Sequence, residues 1–137
     1  MSKALIQKYY EYFNQKNWDS FLGLLDTNVI HEINQGNKEI GLSQFKKFLN
    51  RMNECYDETI SHITIYSSDL SNLYSVQYTV TGKYLKTDKG LPPAHGQTYE
   101  VKGAAFFEIE DHKIKVITNY YNLNEWIDII HSQNSKK

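Results

Sequence analysis

NLYSVQYTVTGKYL (residues 72–85), QTYEVKGAAFFEIE (97–110) and KIKVITNYYN (113–122) alternate, or nearly alternate, β-branched and aromatic residues with polar ones. A period of two over such lengths is the signature of β-strands with one buried face. With TISHITIYSS (59–68) upstream, the pattern predicts four antiparallel strands. Short turns are expected at Ser67 to Asn72 and Glu110 to His112. Lys86 to Gly96, stiffened by Pro92-Pro93, is a longer loop suited to shaping a cavity mouth. In the last strand Ile117, Asn119 and Tyr121 share one side and Val116, Thr118 and Tyr120 the other, while Phe106 and Phe107 must point to opposite faces.

Outward from these strands the period changes. Leu5, Ile6, Tyr9, Tyr10 and Phe13 recur at helical spacing over residues 3–15. Asn17 is placed to start a second helix carrying Trp18, Phe21, Leu22, Leu24 and Leu25, which Asp26-Thr27-Asn28 ends. VIHEINQG (29–36) reads as a short strand with Val29, His31 and Ile33 on one side and Ile30, Glu32 and Asn34 on the other. After Gly36-Asn37 and Gly41, a third helix carries Phe45, Phe48, Leu49, Met52 and Tyr56, with Cys55 at its edge. LNEWIDII (123–130) returns to a helical pattern, and the polar HSQNSKK is expected to fray. The order ααβαββββα groups helices before a strand meander. It indicates an α+β layer rather than a doubly wound sheet, which needs repeated crossovers. One domain is expected over residues 1–137, with its core over about 3–131.

The composition removes several function classes. Fifteen basic residues balance 16 acidic ones, and neither sign forms a block, so neither nucleic acid nor an anionic membrane surface is an expected partner. Cys55 is alone, which rules out an intrachain disulfide and a multi-cysteine metal centre. No secretory pattern or long apolar run is visible, and a cytoplasmic location is expected. No phosphate-cradling glycine motif and no HExxH spacing occurs, so neither a cofactor nor a metal is expected. The unusual count is 11 Tyr beside six Phe and two Trp, large surfaces that carry hydroxyls.

The whole pattern, together with YYEYFNQKNWDSFLGLLDTNVIHEINQG (9–36), EIGLSQFKKFL (39–49), GLPPAHGQTY (90–99), GAAFFEIEDHKI (103–114) and ITNYYNLNEW (117–126), resembles the SnoaL-like, ketosteroid-isomerase-related family of the NTF2-like superfamily. The resemblance implies an NTF2-like (cystatin-like) cone, a strongly curved mixed sheet closed by N-terminal helices with room for a ligand between them. It also implies a homodimer, frequently formed through the outer surface of the sheet. Relatives include isomerases, polyketide cyclases, epoxide hydrolases, dehydratases and noncatalytic proteins, so the residues must decide the chemistry.

His31 is the leading candidate base, because an imidazole exchanges protons near neutrality; a buried histidine holding a structural hydrogen bond fits the same position. Glu32 points the other way. Asn34, beside a turn at Gln35-Gly36, is placed for the rim of a pocket. Asn119 stands where several enzymatic relatives carry an acidic residue, and its amide is suited to orienting a carbonyl or a water. Tyr10, Tyr84 and Tyr121 are candidates to bring phenols toward the cavity, where Tyr10 and Tyr121 would stabilise oxyanion charge. His95 in the loop and Trp126 in the last helix are candidate ligand contacts. Cys55 reads as a structural thiol.

The expected function is a cofactor-independent isomerase, lyase or cyclase acting on a small, mostly apolar carbonyl compound, a proton-transfer enzyme like ketosteroid isomerase or polyketide cyclase. A noncatalytic small-molecule binding module is the alternative, and a dimeric structural or interaction protein a third reading.

Overall fold

A computed structural model of the chain describes residues 2–34, 36–70 and 72–134. Its elements run α1 (Ser2–Gln15), α2 (Trp18–Leu22), β1 (Leu25–Glu32), β2 (Lys38–Ile40), α3 (Leu42–Cys55), β3 (Tyr56–Ser67), β4 (Leu73–Tyr84), β5 (Thr98–Glu110), β6 (Lys113–Tyr121) and α4 (Leu123–Asn134). The strands form one sheet in the order β2-β1-β6-β5-β4-β3. Every neighbouring pair is antiparallel except β1 with β6, so the sheet is mixed. Irregular registers between Ser61 and Thr64, between Glu108 and Ile109, and between Leu25 and Ile30 mark where the strands bend, and the sheet curves without closing.

Helices cover one face of this sheet. Tyr9 and Tyr10 of α1 meet Phe107, Phe45 and Phe48 of α3 meet His31, and Trp126 of α4 meets Tyr84 and Tyr99. The alternating strand residues Val76, Tyr78, Val80, Tyr99, Val101, Ala105, Phe107 and Ile117 are buried here. Their neighbours on the other face, including Phe106 and Tyr120, stand in solvent and touch each other edge to face.

Four boundaries differ from those expected. Leu25 belongs to β1 rather than to the second helix: α2 is one turn long, Asn17 caps it through Ser20 N–H at 3.4 Å, and Leu25 is buried in register with Ile114 of β6. β2 is too short for alternation to reveal; it hairpins onto β1 with Ile30 opposite Ile40. Tyr56 opens β3 rather than closing the third helix, which moves the start of that strand to include Asp57 and Glu58. Finally, α4 continues through polar residues to Asn134 instead of fraying after residue 130. The Gln133 amide explains this, accepting from Thr98 N–H at 3.1 Å and donating to Thr98 C=O at 2.7 Å, which ties the end of the helix to the start of β5. Residues 135–137 lie outside the described residues.

Candidate functional site

Glu58, Gly82 and Tyr99 lie in one row across β3, β4 and β5 on the helix-covered face. With no side chain at Gly82, the Tyr99 ring lies across β4; a Cβ there would stand 2.5 Å from Tyr99 Cζ. The Tyr99 hydroxyl thereby reaches Glu58 and donates to Oε2 at 2.6 Å. Burial pushes the half-buried Glu58 carboxyl above the usual range, while this hydrogen bond and the charge of Lys16 oppose the rise. Burial and Glu58 together hold Tyr99 un-ionised.

A second tyrosine crosses a second glycine further along the sheet. Tyr78 of β4 lies over Gly103 of β5, where a Cβ would stand 2.6 Å from its ring, and its hydroxyl donates to Asn119 Oδ1 on β6 at 3.3 Å. Tyr121 is opposite Gly103 on the other side. The phenols of Tyr78 and Tyr121 are both raised, first by burial and then by the charge of Glu58; the Asn34 amide beside Tyr121 acts the other way. Asn34 Oδ1 accepts the Tyr121 backbone N–H at 3.2 Å, and its buried Nδ2 has no hydrogen-bond partner among the described residues. One carboxyl is thus grouped with three phenols and two amides. Such a set can take a proton from carbon and donate hydrogen bonds to the oxygen that gains charge.

His31 lies on the same face, in register with Ile117, and is 3% exposed. Its ring sits 4.9 Å from Phe45 and 4.6 Å from Phe48, and Nδ1 has no hydrogen-bond partner among the described residues. Burial lowers its pKa to about 4, and no charged neighbour contributes to that shift. At neutral pH it is an uncharged imidazole in an aromatic setting, with little basicity near pH 7.

The other candidates separate into positions near and away from this cluster. Tyr10 is buried in α1 between Tyr9, Tyr78 and Phe107, with burial raising its phenol. Tyr84 is fully enclosed, donating to Pro92 C=O at 2.7 Å and accepting from Asp88 N–H at 2.9 Å. These bonds fix the 86–96 loop. His95 is exposed on that loop, and its backbone N–H bonds the Gln97 side chain at 2.6 Å. Trp126 is buried against Tyr56, Tyr84 and Tyr99, so it backs the site through other rings. Glu32 accepts from the Thr118 hydroxyl on the bare face at 2.6 Å. Gln35 lies outside the described residues.

Glu58, Tyr99, Tyr78 and Asp88 were not singled out from sequence. Buried Asp88 accepts from the Tyr56 hydroxyl at 2.8 Å and pairs with Arg51 at 3.5 Å, anchoring the loop to α3 and β3. For Glu58 a signal existed: it has the parity of Ile60, and starting the strand three residues earlier puts its carboxyl on the buried face. No metal-binding group of three or more His, Cys, Asp or Glu occurs among the described residues. Burial, with nearby Asp88, raises the Cys55 thiol, against a nucleophilic role.

An open hollow of about 780 Å3 lies largely on the bare face, lined by Tyr66, Gln77, Lys102, Phe106 and Tyr120 and meeting the site at its rim through Asn34 and Tyr121. No carboxylate or histidine lines it. The titratable groups Glu58, Tyr99, Tyr78 and His31 stand instead under the helices.

A family model described as a SnoaL-like domain matches residues 6–117. A protein from Xanthomonas campestris pv. campestris, provisionally called a polyketide cyclase, has 45% identity to this chain; the match covers 94% of this chain and 96% of that one with a TM-score of 0.90. A Pseudomonas putida KT2440 protein under the same provisional description has 41% identity over 95% and 98% of the two chains, with a TM-score of 0.93. A LEH-like epoxide hydrolase of M. tuberculosis shares the fold alone, at 12% identity over 96% and 90% and a TM-score of 0.73. Comparison with curated proteins gives no match. With its curved six-stranded sheet, its single helix-covered face and these matches, the chain belongs to the SnoaL-like family, on the NTF2-like cone fold.

Proposed function

We propose that this protein is a cofactor-independent proton-transfer enzyme of the cyclase or isomerase kind, acting on a small, mostly apolar carbonyl compound held under the helices. The observation that carries the reading is the Glu58 carboxyl, half-buried, raised toward neutrality and hydrogen-bonded to Tyr99. Glu58 takes the proton next to the carbonyl. Tyr121 and Asn119, with Tyr78 on its amide, orient the oxygen and stabilise its developing charge. The neutral His31 imidazole serves as a hydrogen-bonding contact at the apolar end, and Tyr10 supports Tyr78 from behind. The provisional cyclase description of the two most similar structures named above agrees with this reading.

The test is solvent-deuterium exchange, read by mass spectrometry, into a panel of small cyclic ketones and into any ligand recovered after incubation with cell extract. Exchange at the carbon next to the carbonyl that Glu58→Gln abolishes supports the reading; exchange unchanged in that variant overturns it.

A noncatalytic binding module is the second reading, favoured by the buried His31 Nδ1, which has no hydrogen-bond partner among the described residues and which a ligand would satisfy without chemistry. A ligand retained by the protein with no exchange at any carbon would select it. The proposal also includes a homodimer through the bare face, supported by exposed Phe106, Tyr120 and Tyr66, and a cytoplasmic setting, supported by the lone, buried Cys55. Among the described residues no helix is long and apolar enough to cross a membrane.

A further inference from the structure

The Tyr99 hydroxyl stays beside Glu58 because two other residues confine its ring. Beneath it is Gly82, where the ring occupies the space a side chain would fill: a Cβ would stand 2.5 Å from Cζ and 2.8 Å from Cε1, closer than carbon atoms pack. Against it is the Trp126 indole of α4, edge to face with ring centroids 5.8 Å apart. Trp126 is itself held by Tyr84 at 4.9 Å and Tyr56 at 6.0 Å, and the Gln133–Thr98 hydrogen bonds fix the end of α4 next to the strand that carries Tyr99.

We infer that Gly82 and Trp126 are positioning residues, one admitting the Tyr99 ring across β4 and the other pressing it there, so that together they set the hydrogen bond that tunes Glu58. This rests on the assignment of Glu58 as the base, but its test reads the carboxyl itself and needs no turnover. Losing the Tyr99 hydrogen bond leaves burial less opposed, so the Glu58 titration must move upward.

The experiment is a carbon-13 NMR titration of the glutamate carboxyls in the full chain, with the Glu58 resonance assigned by Glu58→Gln. Tyr99→Phe sets the scale, with an expected upward move of about one pH unit. Gly82→Ala and Trp126→Leu are each expected to move Glu58 in the same direction, and Gly82→Ala combined with Tyr99→Phe no further than Tyr99→Phe alone. A folded Gly82→Ala protein whose Glu58 titrates as in the wild type overturns the inference, as does a further upward move in the double variant. If Gly82→Ala does not fold, Trp126→Leu decides in the same way: an unmoved Glu58 overturns the inference and an upward move supports it. Upward moves of the Glu58 titration in these variants, with no deuterium exchange in the wild type, would overturn the catalytic reading and leave the inference standing, which keeps the two failures apart.

Discussion

Glu58 and His31 face the same helix-covered side of one sheet, from opposite flanks, and burial acts on them in opposite senses. Desolvation disfavours whichever form is charged, so it raises the carboxyl and lowers the imidazole. The carboxyl becomes a better base for work near neutrality, whereas the imidazole, at about 4, becomes a worse one. Their surroundings differ as well. Glu58 has a hydroxyl on it and two further phenols that feel its charge; His31 has two phenylalanine rings and, among the described residues, no hydrogen-bond partner at Nδ1. A titratable side chain on a buried face is therefore not yet a candidate base; the sign of its shift and the company it keeps are what favour Glu58 over His31 in the proposed function.

The largest effect that breaks or sharpens this contrast is expected for Glu58→Gln, a loss of about 10³-fold in proton exchange, typical of removing a positioned general base. Next comes His31. Its native pKa lies below the unfolded value of 6.5, so the unfolded chain binds more protons between pH 6.5 and about 4. Stability contributed by keeping this ring neutral is complete above pH 6.5 and is lost as pH falls to about 4, by roughly 3 kcal/mol. Glu58 acts oppositely, costing stability as pH rises from its unfolded value of 4.5 through its raised native pKa. Between pH 4.5 and 6.5 the two slopes oppose each other, so unfolding free energy from urea titrations should rise less with pH in His31→Phe than in the wild type and more with pH in Glu58→Gln. A His31→Phe protein with the wild-type acid slope would show that the ring is not desolvated.

Tyr84→Phe comes third. It removes one buried and one half-buried hydrogen bond from the loop anchor, and a cost of about 1–3 kcal/mol is expected, with faster amide exchange at Asp88 and an unchanged Glu58 titration. The smallest effect belongs to the bare face: Tyr120→Glu should change unfolding free energy by less than about 0.5 kcal/mol while shifting sedimentation toward monomer. A monomeric wild type at every concentration would remove the dimer from the account.

Much of the fold was legible because period is a local property. The four long strands, the parity of Asn119, Tyr121, Phe106 and Phe107, and the Asn17 cap all follow from spacing within a dozen residues. β2 was not legible, because three residues carry no period, nor was the polar last turn of α4, whose support comes from Thr98, far away in sequence. The site was harder for the same reason. The parity of His31 and Asn119 could be read, but their environments could not. Glu58 was hidden by a strand start placed three residues late. The role of Tyr99 depends on a missing side chain at Gly82, 17 positions away, a relation that pairing register reveals and composition does not.

The proposed function requires Glu58, and not His31, to move the proton. Deuterium exchange into the same ketone, measured side by side from pH 4 to 9 for the wild type, Glu58→Gln and His31→Phe, tests this directly. The prediction is a wild-type rate that rises as Glu58 loses its proton and then levels, a loss of about 10³-fold in Glu58→Gln, and a rate within about tenfold of wild type in His31→Phe. Exchange abolished by His31→Phe and retained by Glu58→Gln would contradict it.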